Sequence, residues 1–357
     1  MQESNEKKLN NLLSKIGPSD EGAREKAHCH WAELAKPLGS LGVLEEDLEQ
    51  ISSLLGTDDF LLSPRKIFVL CADNGVVAQG VTQTGSEVTA IVTEELAQRR
   101  TSVCQMAEVA GADLCPVDMG VKDYPGNPGV LDRRVGNGTG DISVGPAMER
   151  EQAASAILTG MALVEDAQNK GYRLLGTGEM GIGNTTTSSA VTSVLLGRNP
   201  ADMTGKGAGL SDEGLARKIQ VIERAIAVNK PDPSDPLDVL AKLGGFDIAG
   251  MCGIFLGGAY YGVPVLMDGF ISNVAALCAV RICPNAEKAV LASHTSTEPA
   301  VQAVMEAIGR KPLISAGMRL GEGTGAAAAM PLLDMALAVF RSAYTFEEGG
   351  IEPYKPC

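Results

Sequence analysis

Leu9, Leu12, Leu13 and Ile16 recur at helical spacing, and Leu44, Leu48, Ile51 and Leu55 repeat the pattern. Roughly the first sixty residues therefore read as helices. The period then changes: Lys66–Gly75 (KIFVLCADNG) is a short apolar run ending in a turn, as a buried strand does. The next helix is expected from Ser86, a residue suited to an N-cap, to Arg99 and Arg100 in its last turn. ADLCPVDMG at 112–120 reads as a second strand, and 122–145, with its proline and glycine clusters, reads as loop.

From Ala147 a helix is expected to run to Lys170, and YRLLGTGEMGIGNTT then reads as strand, glycine turn and helix start. Helices follow at 211–229 and 247–258, split by the proline-rich PDPSDP, and PVLMDGF and AVLAS read as buried strands, each followed by a helix. A last helix covers 325–342. Strands alternating with helices imply an α/β, Rossmann-like, doubly wound and mostly parallel sheet. The expected division is a catalytic α/β domain over 61–330, with 1–60 and the chain end 331–357 forming a smaller helical domain. In such sheets ligands sit at the carboxyl ends of the strands, where the glycine clusters are expected to fall.

Composition narrows this picture. The 357 residues are 45% hydrophobic but only 4% aromatic, so the core is aliphatic. A formal charge of −14 argues against nucleic acid or an anionic membrane as partner, though not against one small anion held locally. Several of the eight cysteines sit in apolar runs and none forms a C-x-x-C pair, a pattern of reduced, buried thiols. His28-Cys29-His30 would point in different directions on a helix, so no metal site is expected. The polar, amphipathic N-terminus and the absence of an uninterrupted apolar span place the protein in the cytoplasm. The nearest approach to a span, 244–270, carries two aspartates and suits a buried helix and strand.

Three glycine-rich runs carry the candidate chemistry. Gly176–Thr186 follows an apolar strand and opens a threonine-rich helix, which offers free amides and hydroxyls to an anion. Its spacing matches neither the dinucleotide fingerprint nor a P-loop, so a structural turn remains the alternative. Glu179 inside it would face some other part of a ligand than the phosphate, such as a sugar hydroxyl or a cationic ring. Met203–Ser211 leads into a helix bearing Lys218, which is either a solvated lysine or a phosphate ligand reaching back over the loop. Leu320–Gly325 puts Glu322 between glycines before an alanine-rich helix; it is either a charge complementing the helix dipole or a buried general base of raised pKa.

Together with Lys36–Gly42, Ala72–Val76, Asp268–Ile271 and Ser293–Glu298, these runs resemble in order the nicotinate-nucleotide:dimethylbenzimidazole phosphoribosyltransferases of cobamide lower-loop assembly. The resemblance covers almost the whole chain. It implies transfer of 5-phosphoribosyl from nicotinate mononucleotide to an aromatic base, with Glu322 as catalytic base and no cofactor or metal. It also implies that Glu179 and Asp268 lie near the ribose and reacting centre. Lys218, Ser296 and the glycine loops, including Gly181, Gly183, Asn184, Thr185 and Gly207, would hold the phosphate and the nicotinate carboxylate. Thr84, Met180 and Leu320 would form the acceptor wall. A dimer is implied, of identical or paralogous chains.

Two departures stand out. Residues 83–89 (QTGSEVT) lack the proline usual in the turn before Glu-Val-Thr, which leaves the acceptor open between benzimidazoles, related bases and phenols such as p-cresol. Pro299-Ala300 replaces the family's Gly-His. An NAD-type dehydrogenase on the same fold lacks its fingerprint here, and a catalytically silent partner subunit has no reason to keep Glu322 and Glu179.

Overall fold

A computed structural model describes residues 3–354. Six parallel strands form one sheet in the order β3-β2-β1-β4-β5-β6: β1 (Arg65–Ala72), β2 (Ala112–Gly120), β3 (Leu131–Asp132), β4 (Leu174–Met180), β5 (Val265–Met267) and β6 (Val290–Ala292). The α/β expectation holds. The order reverses between β1 and β4, where an open α/β sheet leaves a crevice at its carboxyl edge.

The period-2 alternation of β1 divides the core in two. Phe68, Leu70 and Ala72 face a layer built from helices Arg150–Asn169, Asn184–Leu196, Phe246–Tyr261 and Phe270–Ile282. Ile67, Val69 and Cys71 face the other layer, where helices Glu21–Glu33 and Val43–Leu55 pack with Thr324–Ser342. With both faces covered, the strands are mostly apolar, as a parallel sheet favours, and the buried acids Asp118 and Glu179 stand near their carboxyl ends. Helices Glu21–Glu33 and Val43–Leu55 and the chain-end helix thus cover one face of the sheet together. Thr324–Ser342 runs unbroken through position 330, where the expected domain boundary lay.

Several element boundaries differ from the sequence reading for local reasons. The helix after Ser86 spans Glu87–Ala97, and the Ser86 side chain caps nothing. Arg99 turns into the left-handed region (φ 59°), and the Arg100 amide closes on Glu95 O at 3.0 Å. A second helix, Ser102–Val109, then begins. The helix expected from Ala147 starts at Arg150, after a capping box in which the Glu149 amide donates to Gln152 Oε1 at 2.9 Å; the amides of Ala147 and Met148 pair with Lys242 O and Ala241 O. The proline-rich break contains a helix start: Asp235 Oδ1 accepts from the amides of Leu237 and Asp238, and Pro236 occupies the first helical position of Pro236–Leu243. The glycine run at 205–209 follows the short helix Pro200–Met203, not a strand.

The apolar stretch 244–270 forms the buried helix Phe246–Tyr261 and β5, as expected. Thr324–Ser342 is the one helix among the described residues long and apolar enough to cross a bilayer, and it is packed on the sheet. Seven cysteines are unpaired among the described residues. Cys357 lies outside them. His28 bonds Glu49 and His30 bonds Phe340 O, each a partner in the surrounding packing.

Candidate active site

The Glu322 turn is held in a conformation it would not choose. Gly321, Glu322 and Gly323 run consecutively through positive φ of 86°, 60° and 96°. For a glutamate the left-handed region costs about 1–2 kcal/mol, so the surroundings must impose it. Asp268, just past β5, does so: its Oδ2 accepts from the Gly323 amide at 3.0 Å and its Oδ1 from the Gly325 amide at 2.6 Å. Thr324 Oγ1 also donates to Gly321 O at 2.8 Å. On β4, a side chain at Gly178 would run into the Glu322 carbonyl, so the glycine lets the turn settle on the strand.

The carboxyl so placed is half-buried, and Glu322 Oε2 is screened from solvent without a hydrogen-bond partner. Burial first, and the charge of Asp268 second, push its pKa above the ordinary value, while the Val103 amide opposes them. It opens on a cavity of about 190 Å³ over the ends of β4, β5 and β6. Glu179, Met180, Asp268, Ser296 and Leu320 line this chamber with it. Leu320 is exposed on the rim.

Glu179 ends β4 and is buried. Burial, then the like charge of Asp247, pushes its pKa up to about 8. The two NH protons of one Asn184 amide serve both acids, donating to Glu179 and, at 3.0 Å, to Asp247 Oδ2. Asp247 itself rises to about 6, mainly by burial. His294, against Asp268, is pushed down by burial and pairs its Nδ1 with Ser293 Oγ at 3.1 Å. The chamber therefore holds acids that resist ionisation beside a histidine that resists protonation.

A second cavity of about 150 Å³ adjoins the first, sharing Gly181, Ile182, Asn184, Thr185, Gly207 and Ala208 as common lining. Here Lys218, fully buried, donates to Thr185 Oγ1 at 2.9 Å and to Gly205 O at 3.1 Å. Two of its three N–H bonds are thus engaged within the protein. Burial lowers its pKa to about 8, and Glu298 pulls it back upward. Ser211 caps the lysine's helix by accepting from the Gly214 amide at 3.1 Å, at the helix start that the sequence places at 211.

The sequence-derived residues converge on these two chambers, with one difference of placement. Thr84 was expected on one wall with Met180 and Leu320; it lines the Lys218 chamber with Gly183, while Met180 and Leu320 line the Glu322 chamber. Residues 81–84 reach across to the lysine helix and its glycine loop, where Gln83 bonds Gly209 O. Asp247 has no place in the sequence reading of the site, and His294 and Glu298 enter it only within the run Ser293–Glu298, without a role. Asp247 had a legible signal, an acid inside the apolar stretch 244–270.

An open sheet of this order, with a carboxylate held in strain in one chamber and a buried ammonium in the next, has the features of an enzyme's active site. The family model described as Phosphoribosyltransferase matches residues 16–351. A nicotinate-nucleotide–dimethylbenzimidazole phosphoribosyltransferase of Ruminiclostridium cellulolyticum is 48% identical over 332 residues, 93% of this chain and 94% of that protein. One of the same name from Clostridium acetobutylicum is 42% identical over 348 residues, 98% and 99% of the two chains. The crystal structure of CobT from Thermus thermophilus superposes with a TM-score of 0.88 at 37% identity, covering 93% of this chain and all of the other. The chain belongs to this phosphoribosyltransferase family.

Proposed function

We propose that the protein transfers the 5-phosphoribosyl group of nicotinate mononucleotide to 5,6-dimethylbenzimidazole or a related aromatic base, releasing nicotinate and forming an α-ribotide. The observation that carries this reading is the pairing of the chambers: a proton-accepting carboxylate in one, an ammonium with a spare donor in the other, and a shared strip between them. The phosphate takes the third N–H of Lys218 and the amides of the glycine loops. The ribose lies along the strip of Asn184, Thr185 and Gly207, with Gly181 and Gly183 allowing its approach. Glu179 and Asp268 border the pyridinium, and Ser296 meets the nicotinate carboxylate.

The base packs between Met180 and Leu320, with its ring N–H toward Glu322. As its other ring nitrogen attacks the anomeric carbon, the C–N bond to the pyridinium breaks. That electron pair neutralises the ring nitrogen, so the leaving group needs no proton. The N–H proton of the attacking base passes to Glu322, whose raised pKa makes it a stronger base than a solvated carboxylate. The burial of Glu179 and Asp268 strengthens their attraction for positive charge once the cationic ring enters.

Thr84, on the Lys218 side, borders the donor. A dimer of identical or paralogous chains fits the exposed apolar surface at Ile91 and Val109, and a reducing cytoplasm fits the unpaired cysteines. Incubation of the purified chain with nicotinate mononucleotide and dimethylbenzimidazole, followed by mass analysis, tests the reading. An α-ribotide with release of one nicotinate per product supports it; absence of product with that acceptor and with a panel of purines and phenols overturns it.

A further inference from the structure

Glu298 is a carboxylate that the reading above leaves without a task. It stands in the segment that follows β6, and faces the glycine loop 205–209. Its Oε1 accepts from the Gly207 amide at 3.1 Å. Its Oε2 is buried with no hydrogen-bond partner. Gly205 lies so close to that oxygen that any side chain there would collide with it. The carbonyl of this same Gly205 is one of the two acceptors that hold Lys218 Nζ. Carboxylate, loop and ammonium are thus linked through two loop glycines, Gly205 and Gly207, on either side of Lys206.

The electrostatics of the group follow from this geometry. Glu298 is the charged side chain that raises the pKa of Lys218 against its burial. Lys206, on the loop, is neutralised by Asp212 at 2.6 Å. Arg319 lines the two cavities that Glu298 also lines, not the one that contains Lys218. Glu179, across the shared strip, resists ionisation. A half-buried carboxylate near a phosphate site repels the ligand, so its placement there calls for a compensating role.

We propose that Glu298 is a positioning residue for the donor phosphate: it fastens the 205–209 loop through Gly207 and Gly205 and keeps the Lys218 ammonium charged to receive the phosphate. This rests on the donor reading above. The role is indirect, acting on loop and lysine while the phosphate contacts those groups.

Glu298→Gln preserves size and an acceptor for the Gly207 amide but removes the charge; Glu298→Asp retains the charge. Steady-state kinetics with nicotinate mononucleotide and with nicotinate riboside, between pH 6.5 and 9, separate the possibilities. The phosphate is dianionic over most of this range, so the titration seen is the enzyme's. In the wild type kcat/KM for the mononucleotide should fall as pH rises through about 8, where Lys218 loses its proton. In Glu298→Gln this limb should move to lower pH, because a charge that raised the lysine pKa is gone. At pH 8 KM for the mononucleotide should rise roughly tenfold, as loss of an interaction with a charged group of about 1.4 kcal/mol gives, with a smaller change in kcat. The riboside, lacking phosphate, should show neither effect, and Glu298→Asp should return the limb toward its wild-type position.

A merely structural role would raise both KM values together and leave the limb in place, which overturns the proposal. Lys218→Arg in the Glu298→Gln background should abolish the limb, since arginine does not titrate in this range; a limb that persists there also overturns it. Failure of the underlying donor reading looks different: the wild type would then treat mononucleotide and riboside alike before any substitution is made.

Discussion

The two adjoining chambers subject buried charge to the same force with opposite results. On the Glu322 side, loss of water pushes the acids Glu322, Glu179 and Asp268 toward their neutral, protonated forms. On the Lys218 side it pushes the ammonium toward a neutral amine. The counter-charges differ. The acids are crowded by one another, so Asp268 adds to the shift of Glu322 and Asp247 to that of Glu179. The lysine instead has Glu298, which restores part of what burial removes. A cluster of acids with raised pKa suits a site whose work is to take up a proton and to welcome a positive ring. A lysine kept charged suits a site whose work is to hold phosphate. One α/β crevice therefore carries two electrostatic regimes with a shared wall between them.

The sharpest way to break that division is to remove the proton acceptor alone. Glu322→Gln keeps the shape of the side chain and the strained turn, and should lower kcat by about 10²–10⁴-fold, the contribution usual for a general base. The dissociation constant for nicotinate mononucleotide, measured by calorimetry, should change little, because the proposed contact of Glu322 is with the acceptor's N–H and not with the donor. A folded variant with near-normal kcat would remove Glu322 from the chemistry and dissolve the distinction.

A smaller effect of the opposite kind is expected from the lysine. Lys218→Ala removes a charge-assisted contact of about 1.5–3 kcal/mol, so binding of the mononucleotide should weaken roughly tenfold to a hundredfold. Nicotinate riboside should bind nearly as before. The comparison of two ligands in one protein cancels any damage to the fold, including the cavity left where this fully buried side chain stood. Equal weakening of both would mean that Lys218 serves the packing and that the second chamber is not a phosphate site.

How far this was legible in the sequence depends on whether the signal was local. The sheet was readable because β1, β2 and β4 are short apolar runs ended by glycine or asparagine, and their alternation with helices implies parallel pairing. The helix start at Ser211 and Glu322 as an unusual glutamate were also local signals, visible at a spacing of a few residues. The remaining features come from distant segments. Asp268 reaches the Glu322 turn across 55 residues of chain. Glu298 reaches Gly207 across 91. Nothing in either neighbourhood announces the other. The two-residue strand β3 offered no period to read at all.

Thr84 shows the same limit and gives the mildest test. The family resemblance set it on the acceptor wall, because the segment matching residues 83–89 borders the acceptor pocket in that family. In the fold it is exposed at the mouth of the Lys218 chamber, and its own carbonyl, not its hydroxyl, accepts the nearby bond from Thr82 Oγ1 at 2.7 Å. Thr84→Val keeps the β-branched shape and deletes one solvated hydroxyl. Such surface changes are worth within about 0.5 kcal/mol, or roughly twofold. Competition between dimethylbenzimidazole and p-cresol should therefore give a product ratio that shifts by no more than that. The control is Met180→Ala, which enlarges the Glu322 chamber itself. Loss of a packed apolar wall worth about 1–3 kcal/mol should move the same ratio well beyond the Thr84 effect. A large shift from Thr84→Val with a silent Met180→Ala would place the acceptor over the lysine loop and reverse the roles of the two chambers.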